Sequence, residues 1–551
     1  LNARDAVALD EPDFGRVVPA FNSLSEGTGW ADIVAAGGAA GSVPVRGGEA
    51  AAAGSPLGGA LAATPVAQHC LHGMHDQEVA LRGAAGAALK RLVRESAAAA
   101  VAAAGRDATS AVATTTATMR CPWEGLMRTV VMPGLRAGMA CREEAVRKGY
   151  ISLLRETVSV YQAAAGGGGG GGVGAASVVP TDLWALARAD DPESDFFLNA
   201  CHMQVHRRAR ALAKARKAIE DFEADSAAAE AAAGRPPVAA AGAAGGPFRV
   251  STLVHFLLPL ALHPLHEAAK SSEAGLVGQA VQLTGAIARH LPWTHYNSAL
   301  RGLMQQADSH SPEKERAMIG AVCQVLDGFH FALIPPGGVV EPTAAAEPSS
   351  STAVVVSNGG GAAASAEVAG GGGDAVWRAV NDRLLGSLRS LLVKEVRGKS
   401  GGKEKVLRAP VAVGMLNLIR RLPTAAFELQ LKPLLMTVCQ SLKSRDSNAR
   451  DTARDTLAKM ARDLGPDYLQ QVITELRTCL VTGYQLHVRT FTLHTVLKTV
   501  ADSYKPPNPP SVDSSAAALV VPALPSSLVK PSFDACIPEV VELLMEDLFG
   551  D

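Results

Sequence analysis

The chain has 551 residues, of which 54 are glycine and only 4% are aromatic. Its formal net charge of −1 at pH 7 excludes no class of partner, so any argument from charge has to be local. No long apolar window predicts a membrane span, and no basic-then-apolar stretch predicts an amino-terminal signal. The eight cysteines are scattered singly, which is typical of reduced, buried thiols. The first residue is Leu, so we expect a fragment of a longer protein.

The first 118 residues are mostly rich in Ala, Gly and Pro. This composition predicts poor order there, with one helix near Val79–Arg94. His69-Cys70-x-His72-x-x-His75 contains side chains of the metal-ligating type, but the spacing matches no strong template and no second cluster completes it. We therefore interpret this segment as a solvated turn and predict neither a metal nor another cofactor.

The segment 119–162 predicts one helical repeat. Its first helix is expected to end near Met132-Pro133, and its second to begin at about Arg142. Glu143, Val146 and Arg147 occupy places like those of Asp446, Ala449 and Arg450 later in the chain. The segment is therefore interpreted as a divergent copy of the later unit.

A strongly basic helix is predicted from about Asn199 to Phe222. Two readings are open: a solvated helix face, or a surface that contacts the phosphates of RNA or DNA. No aromatic residue is interleaved with the cations, so base-specific recognition of a single strand is not indicated here. The candidate RNA-binding residues are Arg207, Arg208, Arg210, Lys214, Arg216 and Lys217.

The stretch 427–502 is the longest without a low-complexity interruption, and it predicts four amphipathic helices in two pairs. The second of these has an N-cap at Asp446, a stop at Gly465-Pro466 and one apolar stripe. A break at Gly483 separates the third from the fourth. One pair takes about 38 residues, near the HEAT/armadillo period of about 40. The stripe of the second helix is Ala449, Ala453, Leu457, Met460 and Leu464, and the third carries Leu469, Val472, Ile473, Leu476 and Leu480.

These patterns together predict an all-α, HEAT/armadillo-like α-solenoid interrupted by disordered Ala/Gly/Pro-rich insertions, because each helix pair needs neighbours to bury its apolar face. A helical pair, 375–398 and 405–422, is expected around a Lys/Gly loop. The predicted segments are 1–118 poorly ordered, 119–162 helical repeat, 163–180 Gly-rich linker, 181–225 basic helical segment, 226–247 linker, 248–334 helical repeats, 335–374 disordered insertion, 375–504 HEAT-like repeats, 505–531 linker and 532–551 terminal helix.

No catalytic arrangement stands out in the sequence. It contains no nucleophile elbow, no HExxH and no paired CxxC, and its Lys/Gly loop lacks the strand-loop-helix context of a phosphate-binding loop. We therefore predict a non-enzymatic scaffold with no small-molecule substrate.

Four segments, in the same chain order, resemble the DRIM family. These are very large HEAT-repeat proteins associated with the small nucleolar RNA of the eukaryotic small-subunit processome. The resemblance covers about Met119–Val500, and it implies that the chain is an internal to carboxy-terminal piece. The segments are Asp191-Pro192-Glu193-x-Asp195-Phe196-Phe197-x-Asn199 continuing to Leu212, Gly285-Ala286-Ile287 with His290-Leu291-x-Trp293-x-x-Tyr296, Leu407-Arg408-x-Pro410-Val411-Ala412 with Leu422-Pro423, and Arg450-Asp451-x-Ala453-Arg454-x-Thr456-Leu457 continuing to Val488.

The resemblance implies a scaffold in pre-ribosomal RNA processing and small ribosomal subunit biogenesis, located in the nucleus and nucleolus. Its implied partners are pre-ribosomal RNA or a snoRNA particle and other processome proteins, with no membrane. The alternative is a helical-repeat scaffold that binds only proteins, or a nuclear transport adaptor. Arg450, Arg454 and Arg462 are a second RNA candidate, although pairing with Asp446, Asp451 and Asp455 is the favoured reading.

Overall fold

The computed structural model shows a chain built almost entirely of helices. Within the described residues there is one two-stranded hairpin and no helix long and apolar enough to cross a membrane. The predicted all-α fold is confirmed. Two compact units are formed, Leu1–Tyr296 with His310–Ala317, and Asn297–Ser309 with Met318–Asp551. The structure describes residues 14–26, 29–33, 56–107, 122–166, 179–188, 190–232, 248–267, 273–308, 311–333, 372–397, 403–503 and 537–549.

The first unit contains helices α1 to α11 and part of α12 and α13. Short π-helical turns lie at Met127–Val131 and Leu253–Leu257, and a 3-10 turn lies at Thr181–Ala185. The helices are α1 Phe14–Ser25, α2 Pro56–Gly73, α3 Val79–Asp107, α4 Pro122–Leu126, α5 Met132–Met139, α6 Glu144–Gly166, α7 Phe196–Ala200, α8 Val205–Ala232, α9 Val250–Thr252, α10 Leu258–Glu267, α11 Ala274–Ala288, α12 Trp293–Gln306 and α13 Pro312–Asp327.

The second unit contains the rest of α12 and α13, a hairpin and helices α14 to α21. A π-helical turn lies at Ala379–Leu384, and a 3-10 turn lies at Pro466–Tyr468. Its elements are α14 Gly372–Arg378, α15 Leu385–Leu392, β1 Val393–Arg397, β2 Lys403–Leu407, α16 Ala409–Ile419, α17 Thr424–Ser441, α18 Ser447–Leu464, α19 Leu469–Cys479, α20 Tyr484–Ser503 and α21 Ile537–Phe549.

The amino-terminal part is more regular than its composition predicts. α2, α3 and α1 are helices where we expected poor order with one helix, and α3 continues well past Arg94 to Asp107. Alanine has the highest helix propensity, and its small side chain lets helices approach closely. Trp30 is 1% exposed, and its indole N–H donates to the carbonyl of Ala88 at 2.9 Å. The Ala-rich face of α3 is therefore part of the core.

Most of the histidine-containing segment is helical, and only its end, with the exposed His75, lies in a turn as predicted. His69, Cys70 and His72 lie within α2, and Cys70 is fully buried. His75 follows the helix, and its ring nitrogen lies 3.0 Å from the hydroxyl of Tyr150. The apolar environment of α2 explains this placement, because Cys70 packs as a small hydrophobic residue. No group of three metal-ligating side chains is formed among the described residues.

Pro133 does not end the first helix of the 119–162 repeat, contrary to the prediction. The helical path runs from α4 through the wider turn Met127–Val131 into α5, where Pro133 lies in the first turn. In a regular helix, its ring would clash with the carbonyl four residues earlier. The wider turn avoids this, because the N–H of Met132 donates to Met127, five residues back. Leu253–Leu257 precedes Pro259 in the same way.

The two helices of this repeat, α5 and α6, come very close to each other at Gly138. A Cβ placed on Gly138 would overlap the ring of Tyr150, which is 1% exposed. The Tyr150 hydroxyl also donates to the carbonyl of Leu71 at 3.1 Å. Gly138 therefore lets α5 and α6 close on each other, which a larger residue would prevent.

In three helices, an arginine in the first turn donates to two carbonyls of the loop before the helix. Arg450 donates to the carbonyls of Ser444 and Arg445 at 3.0 and 2.9 Å, six and five residues before it. Arg147 does the same to Cys141 and Arg142, and Arg82 to Asp76 and Gln77. The equivalence of Arg147 and Arg450 was predicted from the sequence, whereas the third copy at Arg82 was not.

The expected helical pair at 375–422 contains a hairpin instead of a simple loop. β1 and β2 are antiparallel, with Val393 opposite Leu407 and Arg397 opposite Lys403. Valines favour extended backbone, and the glycines between the strands favour a chain reversal. At the base, buried Arg408 donates to the carbonyl of Leu391 at 2.9 Å and to Asp308 at 2.7 Å. The hairpin is thereby fixed to the helices of its unit.

The stretch 427–502 folds as predicted. Asp446 is the N-cap of α18, and its carboxylate accepts from the N–H groups of Asn448 and Ala449 at 3.3 and 3.2 Å. Gly465, at φ 85°, ends that helix, and Gly483, at φ 59°, precedes α20. Ala453, Leu457 and Met460 are fully buried, and Leu464 is buried too. The first predicted helix begins at Thr424, three residues earlier than expected.

The predicted insertions fall largely outside the described residues. This holds for 335–371, 505–531 and most of 163–180. The 226–247 linker is different at its start, because α8 continues to Ala232. Alanines and glutamate at 226–232 are good helix formers, which favours the longer helix.

Candidate nucleic-acid interface

The basic helix α8 begins after a segment that is tightly hydrogen-bonded. The carboxylate of Asp195, which is fully buried, caps α7 by accepting from Leu198 N–H at 2.8 Å, and it also accepts from Arg188 N–H at 3.2 Å. The amide of Asn199 donates to three carbonyls, the closest being that of Asp195 at 2.7 Å. Phe196 and Phe197 are buried beside them. Residues 191–199 are therefore a structural support for α8.

Three of the six predicted cations form ion pairs within the fold. Arg207 lies 3.2 Å from Glu193, and Arg208 lies 3.6 Å from Glu273. Arg216 pairs with Glu220 at 2.9 Å, one helical turn further on. These pairs reduce the net positive charge that the three side chains offer to a polyanion.

Lys214 also has a structural role. Its ammonium donates to the carbonyl of Ser194 at 2.5 Å and to that of Leu186 at 3.5 Å. Burial, together with the charge of Arg188, lowers the pKa of Lys214, and the nearby Asp195 raises it in part. The side chain therefore connects α8 to the segment that precedes it, and a phosphate contact would compete with these bonds.

The other two cations, Arg210 and Lys217, form an exposed row with His206. All three side chains are exposed, and none makes a hydrogen bond or ion pair with the described residues. Their spacing of four and seven residues places them on one helix face, and the row ends at the exposed Asp221. Arg210 lines an open groove of about 810 Å³ between α8 and α11, which also contains Met203 and Gln279. This face can contact phosphates without breaking internal bonds.

The second candidate, on α18, is used mostly inside its own repeat. Arg454 pairs with Asp451 at 2.7 Å, as the favoured reading expected. Arg450 binds backbone carbonyls rather than a carboxylate, and Arg462 pairs with the adjacent Asp463 at 3.1 Å. These contacts favour a structural role for Arg450 and Arg454 over contact with RNA, whereas Arg462 makes only an exposed pair.

The sequence alone could show only in part which cations of α8 are paired within the fold and which are available. Glu220 lies four residues after Arg216, which already predicts an ion pair on one helix face. Glu193 and Glu273 are distant in sequence from their partners, by 14 residues for Arg207 and by 65 for Arg208. Only the packing of the helices shows that Arg210 and Lys217 remain available.

The carboxy-terminal part of the chain matches a known family. Residues 399–551 match the family model of the U3 small nucleolar RNA-associated protein 20 domain. This region contains β2 and α16 to α21, and α8 lies outside it.

Two curated proteins are similar in sequence, both called U3 small nucleolar RNA-associated protein 20. The protein from Schizosaccharomyces pombe is 30% identical over 145 residues, which is 26% of this chain and 5% of that protein. The protein from Saccharomyces cerevisiae is 22% identical over 390 residues, covering 68% of this chain and 12% of that protein. The chain thus spans only a small part of the length of these relatives.

Some solved structures show a distant similarity to the chain. A chain from a structure of Kap95p binding to RanGDP has a TM-score of 0.31 at 13% identity, covering 90% of this chain and 56% of that one. A crystal structure of importin beta has a TM-score of 0.26 at 11% identity, covering 81% and 56%. Likenesses this distant carry no functional argument.

Proposed function

We propose that the chain is part of a non-enzymatic helical-repeat scaffold that binds pre-ribosomal RNA and other proteins of the small-subunit processome. It would act in pre-ribosomal RNA processing and small ribosomal subunit biogenesis, in the nucleolus. The observation that carries the proposal is the match of residues 399–551 to the U3 small nucleolar RNA-associated protein 20 domain, supported by two relatives of that name.

The stacked helix pairs suit such a role physically. Repeated helical hairpins bury a continuous core and leave long outer surfaces on which several partners can be held at fixed separation. On α8, the exposed Arg210 and Lys217 offer positive charge at low cost, because neither has to break an ion pair first. An interaction of this kind depends on charge, and the affinity therefore falls steeply as salt concentration rises.

The test compares RNA binding by the full chain with binding by the double variant Arg210→Gln/Lys217→Gln. Fluorescence anisotropy with a labelled pre-ribosomal RNA oligonucleotide is measured across a salt series. We expect weaker binding to every RNA sequence tested, with the slope of log K against log salt smaller by about 1 to 2, since each lost phosphate contact contributes about 0.7 to 0.9. The matched control is Arg216→Gln, whose cation is already paired with Glu220.

Equal affinity and slope in the double variant and the control would remove α8 as the phosphate-binding surface. For the wider proposal, the tagged parent protein is purified after ultraviolet crosslinking, and RNA and proteins are identified together. Pre-ribosomal RNA with nucleolar assembly factors is the expected result. Transport or signalling proteins without RNA would overturn the proposal and leave the scaffold that binds only proteins.

A further inference from the structure

One face of α20 presents aromatic and basic side chains in alternation. The residues lie three or four positions apart, so they form a single stripe along the helix. Phe491 is 57% exposed and Tyr484 is 50% exposed, although large aromatic rings are usually well covered. The full stripe is Tyr484, His487, Phe491, His494 and Lys498, all of them exposed.

Both rings are held in place from beneath. The guanidinium of Arg454, on α18, lies 4.3 Å from the centroid of the Phe491 ring, and it forms an ion pair with Asp451 at 2.7 Å. The hydroxyl of Tyr484 donates to the carbonyl of Lys443 at 2.7 Å. The rings are thus oriented before any ligand binds, so little side-chain entropy would be lost on binding.

Basic side chains lie on the stripe and beside its Tyr484 end. Lys498, His487 and His494 make no hydrogen bond or ion pair with the described residues. Exposed acids are Asp451, which is paired with Arg454, and Asp455 on α18, and Asp502 four residues after Lys498 on α20. Lys443 and Arg445 extend the basic character beyond the Tyr484 end. The surface therefore combines aromatic faces with a polyanion-attracting border.

We propose that this stripe on α20 binds single-stranded RNA by stacking bases on Phe491 and Tyr484, with Lys498 and its neighbours facing the phosphates. Aromatic platforms within a basic surface are how proteins hold single strands without strict sequence preference. Seven residues of helix separate the rings by about 10 Å, the span of about three stacked nucleotides. A helix-binding protein groove would instead require a continuous apolar stripe, which the two histidines interrupt.

The proposal shares its partner with the proposed function but uses another surface and another interaction. It is tested on the full chain with labelled oligouridine and with an RNA duplex of equal length. Phe491→Leu removes the ring and keeps an apolar side chain, and we expect binding of the single strand to weaken about ten-fold, since one stacked base is worth about that much. Phe491→Trp keeps a stacking surface and is expected to retain binding.

The two surfaces are distinguished by the form of the loss. Phe491→Leu should lower affinity for the single strand with an unchanged salt slope and an unchanged duplex affinity, whereas Arg210→Gln/Lys217→Gln should lower both affinities and the slope. If only one of the two variants loses affinity, the surface that it changes binds RNA and the other surface does not. Unchanged oligouridine binding in Phe491→Leu, at an unchanged melting temperature, would overturn the proposal and leave the face to a protein partner. Equal losses in Phe491→Leu and Phe491→Trp would overturn it as well.

Discussion

At the scale of single residues, charged side chains in this chain act mostly on the backbone. Arg82, Arg147 and Arg450 each donate to two loop carbonyls just before the start of their helix. A guanidinium suits this place, because it presents several N–H groups in a fixed plane. On α8, Lys214 similarly holds the carbonyl of Ser194. Many cations that look available in the sequence are therefore part of the fold.

The arginine contact can be measured at Arg450. Arg450→Ala removes the two hydrogen bonds to the carbonyls of Ser444 and Arg445, and we expect the second unit to lose about 1 to 3 kcal/mol of stability. Thermal unfolding and amide hydrogen exchange of α18 report the loss. Arg462→Ala is the matched control on the same helix, where an exposed pair contributes at most about 0.5 kcal/mol. Equal effects of the two substitutions would contradict a structural role for Arg450.

At the scale of elements, helices form here by two different routes. α18 follows from signals that are visible in the sequence, an Asp N-cap, an apolar stripe and a Gly stop, and so it was predicted nearly to the residue. α3 has no such stripe, because alanine is found on all of its faces. Its inner face is determined by contact with Trp30 and α1, which no local pattern shows. β1 and β2 similarly needed the packing of Arg408 at their base.

The packing of α3 gives a prediction from two adjacent alanines. Ala88 is fully buried and Ala87 is exposed, although both lie in the same helix. Ala88→Leu forces a larger side chain against neighbouring helices and should cost about 1 to 3 kcal/mol of stability. Ala87→Leu should stay within about 0.5 kcal/mol of the parent chain, since leucine is also a good helix former. A comparison of melting temperatures decides, and equal values would show that this face of α3 is not packed.

At the scale of the whole molecule, the chain consists of two compact helical units, and low-complexity segments connect some of their elements. Repeats of this kind gain stability mainly from contacts with their neighbours, so a long connection costs little. The match to the U3 small nucleolar RNA-associated protein 20 domain lies at the carboxy-terminal end, from residue 399. The stripe on α20 lies within that region, and α8 lies before it.

The longest of these segments provides the third test. Replacing residues 336–371 with a Gly/Ser linker of about ten residues should leave helicity and the melting temperature nearly unchanged, because each halving of loop length changes closure free energy by only about 0.6 kcal/mol. Circular dichroism of the parent and shortened chains measures both quantities. A large loss of helicity or stability would show that the segment packs against the helices.

The sequence by itself determined the all-α class, the limits of α18 to α20 and the equivalence of Arg147 with Arg450, because caps, stops and a helical period are local signals. Tertiary structure decided which basic residues are available, since Glu193 and Glu273 reach their arginines only after the chain folds. It also decided that the Ala-rich helices are packed into the core, and that Phe491 lies exposed on the guanidinium of Arg454. These depend on contacts between residues that are distant in sequence, and a local pattern carries no information about such contacts.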